Sequence, residues 1–247
     1  MAKPNPYFPI SQYYQNLFGE KVWKIPLSVA TTCPSRCAFC DVWGSTAYRE
    51  YQQLSLQDQL GRIAMRLRQR YNAHRFLAYF QAYTTTYMAL KKLQEYVQVA
   101  TRHPGVNGFV LGTRPDCLSD GLLEWLSTQC STQYVAVELG VQSFFDRHLE
   151  FLQRGHDGAS SLKAIERLNQ RTRVDVGVHL IFGLPGETDT EIRATADILN
   201  ASPVTNVKLH NLHVLKNTPL ETRNKQGLFT VDSLEEYTRK VMLFHLH

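Results

Sequence analysis

The sequence predicts an α/β fold, a partial (β/α)6 barrel whose parallel sheet carries its helices on the outside. Three observations predict it. Strand-like and helix-like segments alternate along the chain, the connections between them are short, and the units number six, which suits an open barrel better than a closed eight-fold one.

The elements follow in order. A short lead, residues 1–22, precedes a first strand over Trp23 to Thr31. A polar loop bearing cysteines comes next. Leu54 to Tyr71 then places Leu56, Leu60, Ile63, Ala64 and Leu67 at helical spacing. Phe76 to Ala82 reads as a strand and Tyr87 to Arg102 as a helix. Val106 to Gly112 is the third strand, followed by a helix over Asp120 to Cys130. Tyr134 to Gln142 alternates as a strand should, and Ala159 to Gln170 is helix-like. Val174 to Phe182, the helix Glu187 to Asn200 and the strand Val207 to Val214 complete the set. The whole chain, 1–247, reads as one domain. On such barrels the chemistry sits at the carboxyl ends of the strands.

Composition narrows the function. Charged residues make up 20% of the chain and low-complexity tracts are absent, which argues against disorder. No run approaches the about 20 apolar residues of a membrane helix. The opening MAKPNPYFPI lacks the pattern of a secretory signal, so a cytoplasmic location is the default expectation. A net charge of +5 is compatible with RNA or phosphate-bearing partners without demanding them.

Five cysteines are present: Cys33, Cys37, Cys40, Cys117 and Cys130. The first three share one short polar loop, separated by three residues and then by two. Thiols this close read as metal ligands before disulfides. A cubane [4Fe–4S] cluster needs thiolates brought to three of its irons, and a short loop can bring them. With three cysteines offered, one iron keeps an open position. A zinc site would have to borrow a histidine, and none lies in the loop. Cys117 and Cys130 read as structural.

The spacing C-x3-C-x2-C, with Phe39 before the last cysteine, resembles the radical S-adenosylmethionine (SAM) signature. The likeness runs over most of the chain. YFQAYTTTY (79–87), GTRPDCLSD (112–120), VELGVQSFFDRHL (137–149), RGHDG (154–158), HLIFGLPGET (179–188) and VKLHNLHVLKNTPL (207–220) are similar to the YhcC/YtqA-type, Elp3-related branch. The cluster loop is shorter here than is usual in that branch, which implies a divergent subgroup with its own substrate; the queuine lyases are one group to compare. The family continues past LFHLH, which implies a truncated or short C-terminus.

The resemblance implies a [4Fe–4S] cluster on Cys33, Cys37 and Cys40, with SAM on the open iron. Along Tyr134 to Gln142, the residues Val135, Val137, Leu139 and Val141 take one face, so Glu138, Gly140 and Gln142 take the other. Glu138 and Gln142 then point into the barrel, where a carboxylate and an amide suit SAM's amino group and ribose; the alternative is a polar pair satisfied by its neighbours. By resemblance, Arg154 pairs with SAM's carboxylate, as a guanidinium fork can. Gln81, Ala82 and Tyr83 stand where the family has Gly-Gly-Glu, without its glycines or glutamate. Ile181 would lie against adenine, and Leu212 and His213 at its edge. Gly183 to Gly186 forms a tight turn.

On the substrate side, His179 and His210 are candidate proton carriers near the strand ends, as is His213. Arg114 and Asp116 end the third strand in TRPD, either beside substrate or as a capping ion pair. Arg62, Arg66 and Arg70, with Arg68 and Arg75 nearby, make a basic stripe that reads as a solvated helix face before a tRNA contact. The resemblance implies radical removal of hydrogen from a modified nucleobase or nucleoside, a queuine-type base or a tRNA wobble base, with an external flavodoxin- or ferredoxin-like donor. An iron–sulfur electron-transfer or sensor protein would explain the cysteines but not Glu138, Gln142 or the 183–186 turn.

Overall fold

The computed structural model describes residues 7–30, 32–41 and 53–247. Its strands are β1 (Val22–Leu27), β2 (Arg75–Phe80), β3 (Val106–Thr113), β4 (Tyr134–Gln142), β5 (Asp175–Phe182) and β6 (Asn206–Asn211). All are parallel, in the order in which they occur in the chain. The helices are α1 (Ile10–Phe18), α2 (Leu56–Tyr71), α3 (Leu90–Thr101), α4 (Asp120–Gln129), α5 (Asp146–Phe151), α6 (Gly158–Arg171), α7 (Asp189–Asn200), α8 (Pro219–Lys225) and α9 (Leu234–His245). This is the expected half-barrel of six β/α units. None of the described helices is long and apolar enough to cross a membrane.

Period-2 alternation splits each strand between two environments. Ile25, Leu27, Phe76, Ala78, Phe80, Phe109, Leu111, Val135, Val137, Val176 and Val178 face the helices and form the main core. Val22, Leu77, Tyr79, Val110 and Ala136 face the barrel axis and pack with Tyr14 of α1. That helix lies across the amino ends of the strands: Tyr13 and Tyr134 each donate their hydroxyl to Asp175 at 2.6 Å, and Asp175 opens β5. The aromatic edges of Tyr14, Phe18 and Tyr134 seal the seam.

Two strands, β1 and β6, end three or more residues before the predicted position, while β2 ends at Phe80 in place of Ala82 and β5 starts one residue late. The first was expected to reach Thr31, which lies outside the described residues, but the ladder stops at Leu27. Gln59 of α2 takes over there, donating to Ser28 O at 3.1 Å and accepting from Ser28 N at 2.9 Å. The sixth strand was expected to reach Val214 and ends at Asn211, because Leu212 turns into an apolar cluster at the barrel mouth.

α9 locks onto the turn that follows β5. Lys240 is 5% exposed and bridges Glu187 at 3.2 Å and Asp232 at 2.6 Å. Burial raises the Glu187 carboxyl above its usual range despite the N–H of Gly183 and the Lys240 charge. Phe244 packs edge-on to Phe182 of β5. Lys240→Met leaves two neighbouring carboxylates without their cation, so urea unfolding at neutral pH should show a loss of about 3 kcal/mol. The deficit should shrink as pH falls, because protonating either carboxyl relieves the repulsion.

Candidate functional site

The cysteine loop has no regular structure, so its place depends on what its backbone meets. Ala38 is wholly buried among Leu152, Ile181, Leu184, Leu212, Leu220 and Phe229. Its N–H donates to Leu152 O at 2.8 Å, and its carbonyl accepts from Leu220 N at 3.1 Å. The C-terminal end of α5 and the first turn of α8 therefore clamp the loop over the carboxyl ends of the strands. Cys37 is buried, Cys40 half-buried and Cys33 exposed. The Cys33 thiol sits 3.1 Å from the hydroxyl of Thr84.

Two buried arginines flank Cys37. Arg154 is 6% exposed and donates from Nη1 to Cys37 Sγ at 3.1 Å and from Nη2 to Gly140 O at 2.6 Å. Arg114 lies with Nη1 3.9 Å from the same sulfur and forks onto Asp116 through two bonds of 2.8 Å. Burial alone would raise the Asp116 carboxyl, but the Arg114 fork outweighs it and holds the group below its usual range. Arg114 and Asp116 are thus an ion pair beside the cysteine loop.

The donor set fits a [4Fe–4S] cluster. Three thiols come from one short loop, and guanidinium groups stand beside the most buried sulfur, Arg154 donating to it at 3.1 Å. Among the described residues no three His, Cys, Asp or Glu side chains converge as a single metal ion requires. A cubane spreads its ligands over separate irons and does not ask for that convergence. Cys117 differs in kind: burial and the neighbouring Asp116 push its thiol up to about 11, so it is a thiol at neutral pH.

The segment after β2 carries backbone strain. Ala82 and Tyr83 both adopt the left-handed region, with φ of 70° and 58°. Such a conformation costs a non-glycine residue about 1–2 kcal/mol. Ala82 keeps a glycine-like backbone where the resemblance sets the second of two glycines, while Tyr83 stands at the place of its glutamate, near Cys33 and Cys40.

At the end of β4 the register against β5 slips between Leu139 and Gln142, and Gln142 has φ of 69°. Gly140 makes room there: a Cβ would lie 2.9 Å from Gln142 Nε2 and 3.3 Å from Arg154 Nη2. Gln142 and Arg154 therefore share one corner of the mouth. Ile181 and Leu212 meet in the apolar cluster that buries Ala38, while His213 lies past the strand end and is exposed.

Glu138 lies deeper and is 4% exposed. Its carboxylate is already engaged, by an ion pair with Lys24 and by His179 Nε2 at 2.9 Å. His179 and His210 stand with ring centroids 5.4 Å apart. Burial, with Lys208, His179 and His213 around it, pushes His210 down to about 4. No described contact joins these histidines to Arg114 or Asp116. Sequence reasoning missed Lys24; its signal was a lone lysine on the inward face of the first strand, between Val22 and Pro26. Ser35, Thr84 and His156 were also missed, as polar loop residues without a pattern.

The cluster loop and the 154–156 turn touch closely. Gly155 has φ of 70°, and a Cβ there would sit 2.5 Å from Ser35 Oγ. Gly155→Ala should therefore lower iron and sulfide content after anaerobic reconstitution. Gly155→Ala with Ser35→Gly should recover most of it, because only the backbone strain remains.

Comparison with known proteins bears on the family and the fold. A family model described as the radical SAM superfamily matches residues 27–199. The protein YhcC of Escherichia coli K12 is 35% identical over 230 residues, covering 90% of this chain and 73% of its own. MJ0486 of Methanocaldococcus jannaschii is 33% identical over 242 residues, covering 95% and 74%. YtqA of Bacillus subtilis is 29% identical over 243 residues, covering 95% and 75%. Among solved structures, Elp3 of Methanocaldococcus infernus overlays with a TM-score of 0.70 at 17% identity, over 90% of this chain and 53% of that one. The chain thus spans about half of that structure. Methylornithine synthase overlays with a TM-score of 0.61 at 14% identity, over 95% of this chain and 66% of that one. The chain belongs to the radical SAM superfamily, with YhcC, YtqA and MJ0486 as its relatives and Elp3 as a structural neighbour.

Proposed function

We propose that this chain, acting as one core domain, is a radical SAM enzyme that works on a modified nucleobase or nucleoside, a queuine-type base or a tRNA wobble base, as a lyase or a base-modifying enzyme. Cys33, Cys37 and Cys40 hold the [4Fe–4S] cluster. The observation that carries this reading is the clamped cysteine loop at the strand ends, with Arg154 donating to Cys37 at 3.1 Å. When bound, the cluster and SAM supply reductive cleavage of the SAM C5′–S bond and a radical able to take hydrogen from an unactivated carbon.

The protein's own residues bind and orient. Arg154 keeps N–H groups beyond those given to Cys37, Gly140 O and His156, and these would pair with a carboxylate, while Gln142 beside it would offer an amide to ribose hydroxyls. The strained turn at Gln81, Ala82 and Tyr83 presents backbone carbonyls for an ammonium group. Ile181 and Leu212 supply an apolar wall for adenine, and the exposed His213 stands near its edge. His179 and His210 face a flat heterocycle with paired rings, and Arg114 with Asp116 fixes the loop beside Cys37. Exposure of Cys33 gives a flavodoxin- or ferredoxin-like donor a route for one electron.

The test is 5′-deoxyadenosine formation by the anaerobically reconstituted protein with SAM and dithionite, comparing free queuine-type bases with bulk tRNA. The wild type should release it, and Cys37→Ala should lose it to background. Stimulation by one of these substrates supports the substrate class, and a flat response to both removes it. If tRNA alone stimulates, Arg62→Glu with Arg66→Glu should weaken binding and flatten its salt dependence.

A further inference from the structure

We propose that Lys24, Glu138 and His179 form one proton-handling triad inside the barrel, in which His179 is the base for substrate while Glu138 and Lys24 position it. This rests on the radical SAM reading above and assigns Glu138 to the substrate side of the site. Each member comes from a different strand: β1, β4 and β5. Glu138 Oε1 pairs with Lys24 Nζ, and Oε2 accepts from His179 Nε2 at 2.9 Å. Both carboxylate oxygens are therefore occupied before any ligand arrives.

The surroundings explain why the pair is stable there. Lys24 Nζ stands 5.0 Å from the ring centre of Tyr79 and 5.4 Å from that of Tyr14, so two aromatic faces share its charge. Burial would raise the Glu138 carboxyl, but the His179 bond and the Lys24 charge outweigh it and hold the group far below its usual range. Tyr14 and Tyr79, whose phenols burial holds protonated, complete the ring of titratable groups around it. From β6, His210 stands against His179, and Lys208 is its register partner there.

The chemistry follows from the tautomer. With Nε2–H directed at Glu138, the neutral tautomer of His179 carries its lone pair on Nδ1, to which no described residue bonds. The His179 side chain is 18% exposed, as Lys24 is 22% exposed, against 4% for Glu138, so the imidazole is open to a ligand where the carboxylate is not. Nδ1 takes a proton from an acidic N–H or O–H of substrate. The imidazolium that results keeps its bond to the Glu138 carboxylate, and the substrate retains the electron pair. His210, neutral at pH 7, adds no opposing charge.

The experiment is 15N NMR of histidine-labelled holoprotein with the cluster oxidised, His179 being assigned through His179→Gln, together with SAM dissociation constants. Wild type should show His179 protonated on Nε2, and Lys24→Arg should keep this. Lys24→Met with Glu138→Leu removes both charges together, which protects the fold, and should turn the signal into a tautomer mixture. Glu138→Gln should leave SAM affinity within about twofold. An Nδ1-protonated His179 in wild type overturns the triad. So does a SAM dissociation constant that rises about tenfold or more in Glu138→Gln, the loss expected if Glu138 bonds a charged ligand. The tautomer needs no SAM, so wild type that binds none would sink the underlying reading separately.

Discussion

Ala38 holds the site together. It is wholly buried, its N–H and C=O are both satisfied, and its partners come from α5 and α8. A loop without regular structure keeps a fixed shape only when its buried backbone groups are paired in this way. Cys37 and Cys40 flank this residue, so the clamp sets where the thiols stand. The clamp depends in turn on β4 and β6, whose ends launch the two short helices, and the barrel positions the cysteines through this one residue.

The same barrel keeps two kinds of interior. Its outer face is a continuous apolar core against the helices. Its axis is aromatic and polar, with Lys24 and Glu138 paired beneath the mouth. Burying charge is expensive, and an apolar pair of similar volume is often as stable. A buried pair that also holds a histidine at the mouth serves chemistry more readily than stability. Arg154 and Arg114 repeat the pattern beside Cys37.

Much of this was legible in the sequence. The bounds of β4 follow from its alternation, and Glu138 faces the axis as the pattern requires. The cysteine spacing marks the loop, although nothing in it names Ala38 as the anchor. Two strands ran long because Ser28 to Ala30 and Leu212 to Val214 look strand-like, while Gln59 and the apolar cluster end the ladders. α1, α8 and α9 went unread even though their caps are written in the chain: Gly19 after α1, and Ser233 ahead of Glu236 for α9. The left-handed pair at Ala82 and Tyr83 was hidden, because neither residue type signals such a backbone. The partner of Glu138 was hidden too, since pairing across the barrel depends on closure and not on spacing.

The central claim is that the clamped loop carries a cluster with one iron open to SAM. Electron paramagnetic resonance of the anaerobically reconstituted, dithionite-reduced protein tests it most directly. A reduced [4Fe–4S] signal whose g values move when SAM is added is the predicted result. A protein that takes up zinc in place of iron, or a cluster signal indifferent to SAM, would contradict it.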